Sequence, residues 1–400
     1  MKILYITNRV PFPANGGYPI VVRNTLKGIK NLGAEIHCFC LNPNRHFVEP
    51  ARIDDPVLNN ISLTTNFLNT EVSRWKAVKN LLQNKSYIVR RYFNVDAAIN
   101  LKNIITANHF DIIQLEGLFV VPYLPLIRQF CKTKVIYRAH NIEYQIWEGL
   151  ADSEKSPFKK FYLNSLGKAL KKFELSQLNK FDAVATICNA DLRELQYQGC
   201  KVPMENFSVM IDASEYMPDP ILSEPLSVFH LGSMDWLPNR EGVEWFLENV
   251  WGDLKDLNVG LKFHIAGKNI PDEFKGHESD DVRIHENLGN APKYMNSKSI
   301  MIVPLHSGSG MRVKIIEAMV MKKCVISTSM GAQGIRYQHG KNILIADTAD
   351  DFYRYILQCS TDRAFVEMIG ENARTLVEQE YNMDKVGRKI MGFYQKLTEA

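Results

Sequence analysis

Short apolar runs alternate along this chain with longer stretches of helical period. Residues 2–7 (KILYIT), 35–41, 110–115, 134–137 and 182–188 read as strands in the first half, and 228–231, 262–266, 282–285, 299–305 and 324–328 in the second. Continuous apolar character, rather than strict alternation, predicts strands buried on both faces, as in a parallel sheet. Between them, 20–32, 311–322 and 383–397 place apolar residues at helical spacing, and 349–381 is helical but polar. In 156–180 the residues Phe158, Phe161, Tyr162, Leu166, Leu170 and Phe173 keep that spacing. Lys159, Lys160, Lys168, Lys171 and Lys172 fall mostly elsewhere around the turn, which predicts a helix packed on the core beneath a lysine-covered outer face, with membrane contact the minority reading. Residues 42–68 are polar and irregular, and periodicity assigns them no element. The prolines of 217–227 suit a linker. Strand and helix thus alternate through two successive series, an α/β pattern of two Rossmann-like domains. The predicted boundaries are 1–217, a linker at 218–225, 226–382, and a final helix at 383–400.

The stretch 299–335 is the most informative. It predicts strand, loop (HSGSG, 306–310), helix and strand in succession. A glycine-rich loop that ends a strand and opens a helix aims free backbone N–H groups at whatever lies above it, and that suits an anion. Gly308, Ser309, Gly310 and Met311 supply those groups. Arg312 and Lys314 fall in the first turn, where cations are unfavourable unless something negative faces them. Glu317 follows one turn later, and a carboxylate accepts from both hydroxyls of a ribose. Diphosphate at the loop with ribose at Glu317 describes a site for a nucleoside diphosphate. The alternative is a surface helix carrying a Lys314–Glu317 pair of little consequence.

Composition narrows the setting. Four hundred residues with 46% hydrophobic content suffice for two cores, and a net charge of +4 does not suggest nucleic-acid binding. Seven scattered cysteines form neither a disulfide framework nor a four-ligand zinc pattern, and they fit a reducing cytoplasm. The apolar run at the N-terminus is too short for a signal peptide, and no window is apolar enough to span a bilayer. Residues 74–94 mix lysine and arginine with Trp75, Tyr87 and Phe93, a pattern shared by anionic-membrane contacts and, more often, by solvated helix faces. The first strand runs toward Gly16–Gly17 and a helix without the G-x-G-x-x-G fingerprint, so a tight turn accounts for the pair. His140 stands just past the strand at 134–137, at the end where ligands bind in open α/β sheets.

The run GSGMRVKIIEAMVMKKCVISTSMGAQGI, from Gly308 to Ile335, resembles the signature segment of the group 1 (family 4) glycosyltransferases. The similarity is to the branch reading G-G-T-R-x-K-x-x-E-A-M. These are retaining enzymes of the GT-B fold, two doubly wound Rossmann-like domains facing across a cleft, with a C-terminal helix crossing back to the first domain. The resemblance implies that Glu317 holds the ribose. The partner glutamate usual in the family falls on Ser309, which leaves the donor sugar open. It further implies that His140, followed by Asn141, touches the donor sugar and its phosphate, with Glu116 a second position in the cleft. Gly17 would lie near acceptor and diphosphate, and Glu286 would pass the nucleobase. Ser233 and Asn239 stand where the commoner pattern has a basic pair, and would be neutral contacts to phosphate or sugar. Arg312 and Lys314 would supply the charge, acting with His140 in catalysis.

The implied reaction moves a sugar from a nucleoside diphosphate donor to a hydroxyl on a glycan or lipid-linked sugar, without metal or cofactor. The setting implied is the cytoplasm, with peripheral contact at the inner membrane face left open, and assembly of bacterial surface polysaccharide or glycolipid. A nucleotide-sugar epimerase of similar architecture and a non-catalytic nucleotide-sugar-binding partner share most of these features.

Overall fold

The computed structural model describes residues 1–71, 87–154, 156–219, 224–257, 259–308 and 310–399. Most of the basic, aromatic stretch 74–94 lies outside the described residues, as does Ser309. The chain divides into two compact units, Met1–Met210 with Met383–Ala400, and Ile211–Asn382.

Among the described residues the first unit carries one parallel sheet of seven strands. They are β1 (Lys2–Thr7), β2 (Glu35–Pro43), β3 (Ile61–Leu68), β4 (Ile112–Glu116), β5 (Lys134–Ala139), β6 (Ala183–Thr186) and β7 (Met204–Asn206), in the order β3-β2-β1-β4-β5-β6-β7. The order reverses between β1 and β4. Alternate residues of each strand feed different cores, as the continuous apolar runs predict: Leu4 and Ile6 join one cluster while Ile3 and Tyr5 join another. The helix Met383–Glu399 belongs to this unit. It closes the second cluster with Val386, Ile390 and Tyr394, so the final helix does cross back to the first domain.

The second unit repeats the arrangement with six strands among the described residues. These are β8 (Ser227–Leu231), β9 (Lys262–Gly267), β10 (Val282–Glu286), β11 (Ile300–Val303), β12 (Cys324–Ser327) and β13 (Leu344–Ile345), in the order β10-β9-β8-β11-β12-β13. Its reversal lies between β8 and β11.

Three strands escape the periodicity. β3 pairs with β2 along its whole length, yet as an edge strand it buries only Ile61, Asn66 and Leu68, so its polar residues hide it. β7 and β13 are too short to show a period.

The helix Pro157–Gln177 corrects a second expectation. Gly167, Leu170 and Glu174 face inward, whereas Phe158, Phe161 and Tyr162 stand in solvent. Burial begins only after the second turn, and helical spacing of aromatic residues is the same whether or not a core lies beneath them. No helix among the described residues is long and apolar enough to cross a membrane.

Candidate functional site

In each unit the segments near the strand-order reversal carry most of the polar residues singled out above, Glu286 excepted. In open α/β sheets this point leaves a crevice beyond the carboxyl ends of the strands.

In the second unit the loop after β11 opens the helix Val313–Val320, shorter at both ends than periodicity predicts. Gly308 and Gly310 have φ of +107° and +80°, a region that L side chains rarely adopt. A Cβ on Gly308 would lie 2.9 Å from both the Arg312 guanidinium and the Trp236 ring, so the turn is closed to larger residues. Met311 and Arg312 are buried, and the Arg312 guanidinium stacks 4.9 Å from the Trp236 ring centroid while bonding back to the Gly310 carbonyl. That contact holds the cation over the turn.

Lys314 points at the other side of the reversal. Its ammonium donates to Asn239 Oδ1 at 2.8 Å and to His230 Nε2 at 3.3 Å. His230 is fully buried in the middle of β8, and its Nδ1 lies 3.1 Å from the Ile302 carbonyl. A carbonyl only accepts, so Nδ1 carries the proton and Nε2 offers its lone pair to Lys314. Burial, then the Lys314 charge, hold His230 well below the usual histidine range. Burial, with Arg312 nearby, likewise pushes Lys314 well below the usual lysine range. Among the described residues the hydrogen-bond partners of half-buried Lys314 are thus neutral, and it lies beside the buried Arg312 guanidinium, an arrangement that suits an anionic ligand.

Asn239 is buried in the first turn of the helix Leu237–Phe246, whose N-cap is Trp236. Its amide also donates to the Ser233 carbonyl at 2.9 Å, which ties down the loop after β8. Glu317 is buried, and its Oε1 accepts from the Tyr216 hydroxyl at 3.0 Å. Burial raises its pKa to about 7 despite that bond. Lys314 thus bonds to Asn239 and His230 and not to Glu317, so the surface-pair alternative does not describe this helix. Glu286 ends β10 and is exposed.

In the first unit, His140 follows β5 and is buried, with Nε2 at 2.5 Å from Glu116 Oε2 and its ring 4.6 Å from that of Tyr18. Glu116 is fully buried at the end of β4. Burial raises its pKa, but Arg138 at 3.6 Å and the His140 bond outweigh that and hold it below the usual carboxylate range. Burial lowers His140, against the pull of Glu116. The pair is therefore a carboxylate beside a neutral imidazole, with Nε2–H donating to Glu116 and Nδ1 free to accept a hydrogen bond. A chain of polar contacts fixes it from behind: Tyr394 hydroxyl to Gln114 Oε1, and Gln114 Nε2 to Glu116 Oε1 at 2.5 Å. Gly17 begins the helix Gly17–Asn31, exposed, next to Gly16 at φ +113°. Tyr18 hydroxyl donates to the Glu116 carbonyl at 3.1 Å, which brings that loop to the same strand ends.

The structure thus gathers Ser233, Asn239, Gly308, Gly310, Met311, Arg312 and Lys314 in the second unit, and His140, Glu116 and the Gly17 loop in the first. Tyr216, His230, Trp236 and Arg138 contact these residues and are not among those the sequence singles out. His230 left one signal, a histidine inside the apolar run of β8. The described residues hold no group of three or more His, Cys, Asp or Glu placed to bind a metal ion.

Residues 225–362, about a third of the chain, match the family model Glycosyl transferases group 1. An uncharacterized 44.6 kDa protein in the cps region of Klebsiella pneumoniae is 26% identical over 311 residues, 74% of this chain and 77% of that protein. Among solved structures, sucrose-phosphate synthase of Thermosynechococcus elongatus superposes with a TM-score of 0.72 at 14% identity, over 99% of both chains. HepE of Anabaena, in complex with UDP, gives 0.67 at 14% identity, over 99% of this chain and 100% of that one. A mutant of S. aureus TarM, in complex with Fondaparinux, alpha-GlcNAc-glycerol and UDP, gives 0.71 at 12% identity, over 98% and 100%. The segment carrying the glycine turn, Lys314 and Glu317 is thus the part that matches the group 1 glycosyl transferases, and the whole chain has the two-sheet GT-B fold of these solved proteins.

Proposed function

We propose that this protein transfers a sugar from a nucleoside diphosphate donor to a hydroxyl acceptor, with retention of anomeric configuration. The observation that carries the reading is the turn after β11, where buried Arg312 and half-buried Lys314 lie at the strand-order reversal and no acidic partner among the described residues faces Lys314. The donor diphosphate is that partner. As the bond to the sugar breaks, negative charge grows on the leaving diphosphate, and fixed cations with backbone N–H donors stabilise it without reorganising. We infer that these two cations serve where other transferases use a divalent ion, so activity should survive EDTA. Glu317 would accept from the ribose through Oε2, its other oxygen being taken by Tyr216. Ser233, Asn239, Gly308, Ser309, Gly310 and Met311 would line the donor site, with Glu286 beside the base.

His140 would accept a hydrogen bond from a sugar hydroxyl at Nδ1, the only role its neutral form leaves open there. The first unit would hold the acceptor near Gly17. HepE was solved with UDP and with UDP-glucose, which makes UDP the first nucleotide to try. The relative from a cps region supports a glycan or lipid-linked sugar as acceptor and surface polysaccharide assembly as the setting. All seven cysteines are free, which suits a cytoplasmic enzyme.

The test is a thermal-shift screen of the purified protein with UDP, GDP and ADP, then with their sugars. A ligand that binds only the folded state raises its melting temperature. UDP-sugar turnover that needs an added acceptor supports transfer. Turnover of donor alone to an epimer, or no stabilisation by any nucleotide, overturns it.

A further inference from the structure

The helix Pro157–Gln177 presents a face that the described residues of the first unit leave exposed. Phe158 is 90% exposed, Phe161 75% and Tyr162 40%, and their spacing of three and four residues puts them on one side of two successive turns. Ser165, Lys168 and Lys172 continue the same side, half-buried at Ser165 and exposed at the lysines, and exposed Lys159 flanks the aromatic residues. Lys160 reaches the Asp152 carbonyl at 3.3 Å.

The charge on this helix is one-sided. Its single carboxylate, Glu174, is buried and turned inward, where it accepts from the backbone N–H groups of Glu143 and Tyr144 at 3.2 and 3.1 Å. Lys171, on the flank, pairs with Glu148 at 3.4 Å. Of the acidic groups near the helix start, Glu154 accepts from the Ser156 amide at 2.8 Å, and Asp152 is exposed on the preceding helix. What remains is an aromatic tip followed by lysines on one exposed stripe.

We infer that this stripe docks the protein on an anionic lipid surface, with Phe158 and Phe161 entering the boundary of headgroups and acyl chains and the lysines meeting lipid phosphates. An interfacial helix has this composition: bulky apolar residues that leave water, and cations that meet the negative surface potential of the leaflet. A second copy of the chain fits less well, because a two-fold contact through this face would set lysines against lysines. The anchoring would be reversible, since one short aromatic patch with a few charges gives modest affinity. It does not depend on the transferase reading.

The test is flotation of the full chain with vesicles of phosphatidylcholine, alone and with about one part in three phosphatidylglycerol. The protein should float with the anionic vesicles only, and salt should release it. The double substitution Phe158→Ser with Phe161→Ser, and separately the triple Lys159→Gln, Lys168→Gln and Lys172→Gln, should each weaken flotation by about tenfold or more. Both variants should keep the parent melting temperature, because the residues they change are exposed. Failure of the parent to float, flotation equal on neutral vesicles, or variants that float like the parent would overturn the inference. So would a concentration-dependent dimer abolished by Phe158→Ser with Phe161→Ser, which would make the face a contact between copies.

Discussion

Lys314 shows how one residue carries a functional reading. Its ammonium is half-buried, and among the described residues its partners are a neutral amide and a neutral imidazole. Burial therefore favours loss of the proton, and a bound diphosphate favours its return. Donor affinity should thus fall with rising pH at a point below the ordinary lysine range. In Lys314→Gln the affinity should be at least tenfold weaker and lack that dependence, as calorimetry with UDP across pH would show. Glu174 makes the opposite kind of prediction, about folding. Its pKa is raised from 4.5 to about 8, chiefly by burial, with Glu143 nearby. The folded state therefore holds a proton that the unfolded chain releases, and this contribution to stability is complete below pH 4.5 and lost as pH rises through about 8. Glu143 and Glu317, each raised to about 7, act with the same sign. Melting temperature should drop from mildly acidic to mildly alkaline pH, and drop less in Glu174→Gln.

Among the elements, helices pressed against strand ends position the glycine turn. The helix Leu237–Phe246 meets the chain leaving β11 at Gly242, where a Cβ would lie 2.5 Å from the Pro304 carbonyl. Backbone cannot yield as a side-chain tip can, so Gly242→Ala should cost about 1–3 kcal/mol in urea unfolding and weaken UDP binding by displacing Asn239. These elements also show what the sequence reveals and what it hides. β1 is legible to the residue because every position from Ile3 to Thr7 is buried, and a strand buried on both faces writes itself as an unbroken apolar run. The glycine turn is legible because positive φ and close approach both demand glycine. β3 is not, since an edge strand needs few apolar residues. Phe158 and Phe161 mislead because spacing records which residues share a side, while the presence of a core beneath that side depends on distant segments. The His230–Lys314 contact spans residues far apart in the chain, and only the sheet order brings them together.

At the level of the whole molecule the chain passes from the first unit to the second at Met210–Ile211 and returns at Asn382–Met383. The helix gained on return is required by the first unit: Tyr394 hydroxyl lies 3.1 Å from that of Tyr5, and Gly387 passes Leu32 and the Gly28 backbone closely. Removing 383–400 should therefore collapse the first unit, seen as loss of its melting transition, while 211–382 made alone should still fold and be stabilised by UDP. The points of departure and return are neighbours, because the Ile211 amide donates to the Tyr381 carbonyl at 2.8 Å and Ile211 bridges to Asn382. A segment that leaves and comes back through one doorway is a cassette. Evolution, or a protein engineer, can exchange it for a related segment, rejoining two ends that already lie side by side.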